Sequence, residues 1–258
     1  MTARKFLIHG LIAGLAAGLL AFFVAHQVGE PHVETAIALE EAGSEPASEA
    51  GAGEEGHSHG ERAEVSRANQ RTFGLVTGTL AVGTALGGLV GLLAAFAMGR
   101  LGRFSPAEST AAVTLIGFVS FALLPFLKYP ATPPAVGSGD TIGDRTSYYF
   151  IFLVISLVAA VAATMLARQL YARNGGYAAV LGGSAVYLVA IIVAAVAMPT
   201  VNELGDFPAD TLWSFRISSL YTLATMWGVI GIVLTGLVLR STAQVKRESE
   251  RRDLVASL

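Results

Sequence analysis

The side chains best suited to chemistry in this chain are carboxylates and imidazoles, which fall in two regions of the sequence. Carboxylate together with imidazole is the ligand set that suits divalent Co, Ni, Zn or Mn. The residues that form the predicted metal site are, in chain order, His26, Glu30, His32, Glu34, Asp140, Asp144 and Glu203. Their spacing matches no recognised pattern of four ligands. The competing structural interpretation of Asp144 is a cap on the positive end of a helix.

A second place for metal capture is the acidic stretch that contains Glu54-Glu55-Gly56-His57-Ser58-His59. His57 and His59 resemble a metal-sequestering tract. The alternative is a solvated acidic linker in which the two histidines are incidental. Residues 41–64 are rich in Ala, Gly, Glu and Ser and lack the apolar area needed to offset the entropy of ordering, so we predict a disordered acidic outer loop there.

Several kinds of catalytic site are missing from the sequence. Cysteine is absent, which excludes disulfides, thiolate metal sites and cysteine nucleophiles. There is no phosphate-binding loop, no His-Glu-x-x-His and no Gly-x-Ser-x-Gly. We therefore predict that the chain is not an enzyme and holds no permanently bound cofactor. A membrane enzyme built from the outer Asp, Glu and His residues is the least favoured alternative.

These side chains must be positioned by membrane helices. Six long runs contain no Asp, Glu, Lys or Arg, whereas a helix at the surface of a soluble protein needs a charged solvent face. Crossing a hydrocarbon core takes about 20 helical residues. The fold class predicted is thus an all-α integral membrane protein, a single polytopic domain over residues 1–258 that forms a bundle of about six transmembrane helices. The predicted spans are 6–28, 73–98, 110–127, 147–168, 177–198 and 217–239.

Charge predicts the orientation of this bundle. With the N-terminus inside, the inner segments hold eleven basic residues and four acids, and the outer segments hold six basic residues and fifteen acids. The positive-inside bias therefore places both termini in the cytoplasm. The insertion bias and the anionic leaflet account for the inner basic excess, so we predict a lipid bilayer and no nucleic acid as partner. Arg216, at the outer start of the last span, is expected to snorkel or to pair with Asp210 or Asp144.

Two features of the first spans leave alternatives open. Arg4-Lys5 before an apolar run also fits a cleaved signal peptide, which would leave five spans with the same loop sides. Glycines recur at four-residue spacing at Gly10, Gly14 and Gly18, and again at Gly83, Gly87 and Gly91. Such spacing is typical of helices that associate closely in lipid, and a conduit lined by glycine is the lesser alternative.

The outer segments carry a family resemblance. The strings Pro125-Phe126-Leu127-Lys128-Tyr129-Pro130-Ala131-Thr132-Pro133-Pro134 and Asp140-Thr141-Ile142-Gly143-Asp144-Arg145 resemble the CbtA family of predicted cobalt transporter subunits. So do Glu30-Pro31 and Leu212-Trp213-Ser214-Phe215-Arg216. The resemblance implies a prokaryotic plasma (inner) membrane protein of cobalt uptake, linked to cobalamin supply, with a small single-span His-rich partner subunit. It carries no established metal site.

Two functions follow as hypotheses. The first is a membrane subunit of a cobalt (divalent metal cation) uptake transporter, in which Co2+ or a similar ion enters as substrate through an acidic extracytoplasmic mouth. The second is a non-transport membrane scaffold or assembly factor that docks a partner through its outer loops. The absence of charge in the middle of the spans favours the second hypothesis.

Overall fold

The computed structural model describes residues 2–44 and 66–257 of the chain, and the ordered secondary structure in these ranges is helical. The α-helices are α1 (Ala3–Val24), α2 (Glu30–Ser44), α3 (Arg67–Asn69), α4 (Leu75–Ala97), α5 (Pro106–Gly117), α6 (Leu124–Lys128), α7 (Ile142–Ala197) and α8 (Ala209–Ala256). Five continuous helical stretches in the described residues are long and apolar enough to cross a membrane. The predicted all-α membrane fold is confirmed.

The first two spans pack backbone to backbone. Glycines of α1 face glycines of α4 in antiparallel order, and a Cβ built on Gly83 would lie 2.6 Å from the carbonyl oxygen of Gly14 and 2.9 Å from the Cα of Gly18. Since no side chain fits between them, these glycines set how closely the two helices approach. The packing interpretation of the four-residue spacing is confirmed.

Three of the spans contain π-helical turns, Ala25–Gly29, Gln70–Gly74 and Phe118–Leu123. The first joins α1 to α2 without a break, and the second joins α3 to α4. A π-turn widens the helix and disturbs its hydrogen-bond ladder, which makes backbone carbonyls available to other donors. The carbonyl of Arg71 lies 3.1 Å from His26 Nδ1, and the carbonyl of Ser120 accepts from Ser156 Oγ at 2.7 Å.

The long helix α7 is a helical hairpin, because Gly175 has φ 83° and ψ −177°, which no helix tolerates. Beyond this break the chain folds back: Gly183 packs against Ala163 and Ala167, and the hydroxyl of Tyr187 lies 2.8 Å from Ser156 Oγ. The break falls in the Asn-Gly-Gly sequence that predicts a turn. The two arms of α7 correspond to the predicted spans 147–168 and 177–198.

The third span, Pro106–Lys128, contains α5 and α6, and together with α8 it completes the bundle. Ser105 and Glu108 form a capping box in which Glu108 accepts from the Ser105 amide at 2.7 Å, and Pro106 occupies the first turn of α5. α5 packs on α8, where Gly117 lies against the ring of Trp227 and Gly231 lies against Thr114. α8 also packs along α1.

The contacts at the helix ends divide the molecule into two faces. His9 near the start of α1 lies 3.5 Å from Ser241 of α8, and Gly102 lies against the ring of Tyr171 near the hairpin tip. We call this end, which carries both chain termini, the inner face. At the opposite end, the outer face, Tyr129 donates to the carbonyl of Pro199. These contacts place loops at both ends of the bundle, and both the predicted topology and the assignment of the inner face to the cytoplasm stay predictions.

Candidate functional site at the outer face

A cavity of about 790 Å³ lies at the outer face between α4, the third span and α8, under the two outer loops. We call it the vestibule. Its deep wall contains Met226 and Trp227, both nearly buried, in the middle of the predicted last span, and Phe121 contacts the Trp227 ring at 6.0 Å between centroids. The vestibule therefore extends from the loops to about the middle of the predicted bilayer.

One carboxylate connects the Pro-rich outer loop (residues 129–141) to the last outer loop (residues 198–208). Glu203 accepts from Thr141 Oγ1 at 2.8 Å and from the amide of Ser138 at 3.2 Å, and the Arg145 guanidinium lies 3.5 Å away. These contacts, the Thr141 hydrogen bond first, lower the pKa of Glu203 below its ordinary value. Gly137, with φ 95°, packs its Cα against the same guanidinium, where a side chain would not fit. Glu203 is thus a structural clasp between the loops.

The start of the Pro-rich loop is held by its neighbouring aromatic and basic residues. Lys128 Nζ donates to the carbonyl of Met198 at 3.2 Å and lies 5.3 Å from the centre of the Tyr129 ring. Tyr129 donates its hydroxyl to the carbonyl of Pro199 at 2.8 Å, and burial raises the pKa of Tyr129, so the phenol stays neutral. These contacts fix the rim of the vestibule.

The charge of the vestibule is positive. Among the described residues that line it, three are cationic, Lys128, Arg145 and Arg216, and one carries a carboxylate, Glu203. Arg145 is the cation next to that carboxylate. Arg216, which we expected to snorkel or to pair with Asp210 or Asp144, has no ion pair with any described residue, and its Nε is buried without a hydrogen-bond partner. The pairing alternative is therefore not found in the described part of the chain, and the snorkelling alternative stays a prediction.

The predicted ligands near the first span are paired with arginines. Glu30, whose side chain is 12% exposed, binds Arg67 at 2.5 Å, and Glu34 binds Arg71. His26 lies against the Arg71 carbonyl and stacks on the ring of Phe22. These contacts fasten the outer end of the first span to the start of the second. In this structure the two glutamates stabilise the helix pair.

The remaining predicted ligands do not complete a metal-binding group with these residues. His32 lies on α2 between Glu30 and Glu34, and Asp144 lies in the first turn of α7. The residue at the N-cap of α7 is Thr141, so the capping role expected for Asp144 is wrong, although its charge still lies at the positive helix end. Asp140 lies in a 3₁₀ turn that Ser138 caps.

Across residues 2–44 and 66–257, no group of three or more His, Asp or Glu residues is arranged to hold a metal ion. The histidines of the acidic stretch, His57 and His59, and most of the predicted disordered loop 41–64 lie outside the described residues, and α2 continues to Ser44. The metal site therefore stays a prediction.

Sequence reasoning missed the vestibule, but a signal for it exists. The positive-inside bias disfavours basic residues in outer segments, yet Lys128, Arg145 and Arg216 all occur there and all line the same cavity. Basic residues that remain on the disfavoured side need a structural or functional reason. Here two of the remaining outer arginines pair with Glu30 and Glu34, whereas Arg216 pairs with no described residue.

A smaller cavity of about 320 Å³ lies at the inner face. It is lined by Lys5, His9, Ser241 and Glu248 among others, where α1 begins and α8 continues past the predicted span. His9 lies in the second turn of α1, close to the start of that helix.

Bundled apolar helices with polar, charged loops at both ends define a multi-span membrane protein with a vestibule at one end. The sequence model of one family, described as "Probable cobalt transporter subunit (CbtA)", matches residues 3–239, nearly the whole chain. The chain belongs to the CbtA family, which confirms the resemblance carried by the outer loops. No curated protein and no solved structure gave a significant match. Its family places it among membrane transport proteins for cobalt, and the word "subunit" implies a further component.

Proposed function

We propose that this chain is the membrane subunit through which cobalt enters the cell, with the vestibule as the entrance. The observation that carries the proposal is a cavity that reaches from the outer loops to Trp227 at about mid-span, in a chain of a cobalt transporter family. A path of this depth removes a large part of the barrier to a charged substrate, because hydrocarbon is where burying a charge costs most.

The acidic outer segments serve as the collector of the ion. Fifteen acids against six basic residues attract divalent cations to the outer face and raise their local concentration. Glu30, Glu34 and Glu203 are each neutralised by an arginine. Collection is therefore assigned to the outer carboxylates that have no ion pair among the described residues, which are Glu40, Asp140, Asp144, Asp206 and Asp210, and to the glutamates and histidines of residues 45–65.

The partner subunit completes the ligand set in this proposal. Since the described residues offer no group of three ligands, dehydration of the metal needs donors from elsewhere. A small single-span subunit with clustered histidines would supply imidazoles. Both subunits lie in the prokaryotic plasma membrane, with the termini of this chain in the cytoplasm. The chain lacks native cysteines, so Thr132→Cys should label only from outside intact cells and Ala256→Cys only after permeabilisation.

Cobalt accumulation tests the proposal. Cells without their own cobalt importer would express this chain, the partner, or both, and the metal content would be measured over time. We expect a gain that is largest with both subunits. A bulky thiol reagent on Thr132→Cys, which lies in the vestibule, should block the gain reversibly, and the same reagent on Gly139→Cys, outside it, should not. Unchanged accumulation in every combination would remove the proposal.

A scaffold that docks a partner through its outer loops is the second candidate, and the missing ligand group in the described residues favours it. It predicts that replacing Glu30, Asp140 and Asp144 together leaves cobalt accumulation unchanged but releases the partner in a pull-down. Loss of accumulation with the partner still bound decides for transport.

A further inference from the structure

The charges of the vestibule conflict with a bare divalent cation as its occupant. Lys128, Arg145 and Arg216 line it with one carboxylate, and that carboxylate is already engaged by Arg145, Thr141 and Ser138. A cation that entered would meet two positive charges without compensation in the described residues, in a cavity whose apolar deep wall lowers the local dielectric. The same field attracts an anion.

We propose that the vestibule binds a small organic polycarboxylate anion, free or as its divalent cobalt complex. Arg216 is the anchor. Its guanidinium lines the cavity, its Nε is buried without a partner, and no described carboxylate pairs with it. An arginine held in this way lacks the anion that usually offsets its desolvation, and its planar donors match a carboxylate in two parallel hydrogen bonds.

The size and the lining of the cavity fit such a ligand. A volume of about 790 Å³ holds a molecule far larger than a hydrated ion and lies within the range of small-molecule sites. Asn202 and Thr146 add hydrogen-bonding groups at the rim, and Lys128 adds a second cation. The free carboxylates of the bound anion supply oxygen donors for cobalt, which are the ligands that the described residues do not provide as a group. Only the cobalt part of this inference rests on the proposed transport function.

Equilibrium binding tests the inference on the purified full chain in phosphatidylcholine nanodiscs, with radiolabelled citrate as the probe. We expect saturable citrate binding that weakens with salt, and cobalt binding that increases when citrate is added. Arg216→Gln should weaken citrate binding about tenfold or more, which corresponds to one lost charge-assisted hydrogen-bonded contact. Arg216→Lys should lose less, because the charge remains. Arg173→Gln, an exposed inner-face arginine, is the matched control and should bind as the native chain does.

The same measurement separates the other outcomes. If Arg216→Gln binds citrate like Arg173→Gln, the anion site is refuted. If citrate adds nothing to the cobalt binding of the chain, the cobalt-complex part of the inference is refuted. If phosphatidylglycerol in the nanodisc displaces citrate, the occupant is a lipid headgroup and the polycarboxylate assignment is overturned. Citrate binding without cobalt accumulation in cells would leave the anion site standing and refute the proposed transport function. A thermal melt of Arg216→Gln checks folding, which we expect to be preserved because an unpaired charge is removed.

Discussion

Replacing Gly83 by alanine should separate the first two helices of the bundle. The new Cβ would lie 2.6 Å from the Gly14 carbonyl oxygen and 2.9 Å from the Gly18 amide and Cα, all of them backbone atoms that cannot rotate away. Reaching ordinary van der Waals contact requires roughly 1 Å of separation along a tightly packed interface. Overpacking of this kind costs about 1–3 kcal/mol, and we expect the upper end because both surfaces are backbone.

Gly78→Ala is the matched control, because it lies in the same helix and an added Cβ would have no atom within 4 Å. Alanine at that exposed position should be neutral or stabilising by up to about 1 kcal/mol, the difference in helix propensity. The free energies of unfolding of the two variants should therefore differ by roughly 2–4 kcal/mol, with Gly83→Ala the less stable. Unfolding of each purified variant by SDS in mixed micelles, followed by helical circular dichroism, measures this difference.

Equal stability of Gly83→Ala and Gly78→Ala would refute the close backbone contact between α1 and α4. Gly14 and Gly18 have no side-chain atoms to remove, so no substitution in α1 is expected to restore the stability of Gly83→Ala. The absence of such a rescue would therefore not contradict the contact.

Two further predictions concern polar contacts. Ser156→Ala should destabilise the α7 hairpin by about 1–3 kcal/mol, because Ser156 Oγ lies between the carbonyl of Ser120 and the hydroxyl of Tyr187, and both would lose their buried partner. Adding Tyr187→Phe to this variant should lower the stability little further. Fully additive losses of the two single variants in SDS unfolding would contradict this prediction. Because the pKa of Glu203 is lowered, its ionised form stabilises the contact between the two loops at pH values above 4.5, the ordinary carboxyl pKa. This contribution is lost as the pH falls below 4.5 and through the lowered pKa. Limited proteolysis of the Pro-rich loop should therefore accelerate at low pH in the native chain and be fast at every pH in Glu203→Gln, and a native chain whose cleavage ignores pH would contradict the clasp.

The helical bundle could be predicted from sequence because the bilayer constrains it strongly. A run of some 20 residues without charge has few folds available when lipid is the solvent. The Asn-Gly-Gly turn and the glycine spacing were also readable, since each reflects a local steric rule that Gly175 and Gly83 obey.

The site was harder to predict because pairing is a tertiary property. Glu30 and Glu34 are of a residue type that binds metal ions, but arginines 37 positions further along the chain neutralise both of them. The vestibule is lined by residues from α4, the third span, two loops and α8, and no local sequence pattern predicts that these residues lie together. No sequence pattern predicts the π-helical turn at Phe118–Leu123 either, although this turn makes the Ser120 carbonyl available to accept a hydrogen bond from Ser156 of the α7 hairpin.

The glycine contact between α1 and α4 also decides which part of the molecule can move. With carbonyl oxygens set against Cα atoms at successive turns, these two helices have a single sliding register, and displacement along it would drive backbone into backbone. α4, which contributes one wall of the vestibule, is therefore held in register with α1. Under the proposed function, we expect changes in the width of the vestibule to involve the opposite wall, where the third span contains a π-helical turn and Ser156 of α7 donates to the Ser120 carbonyl.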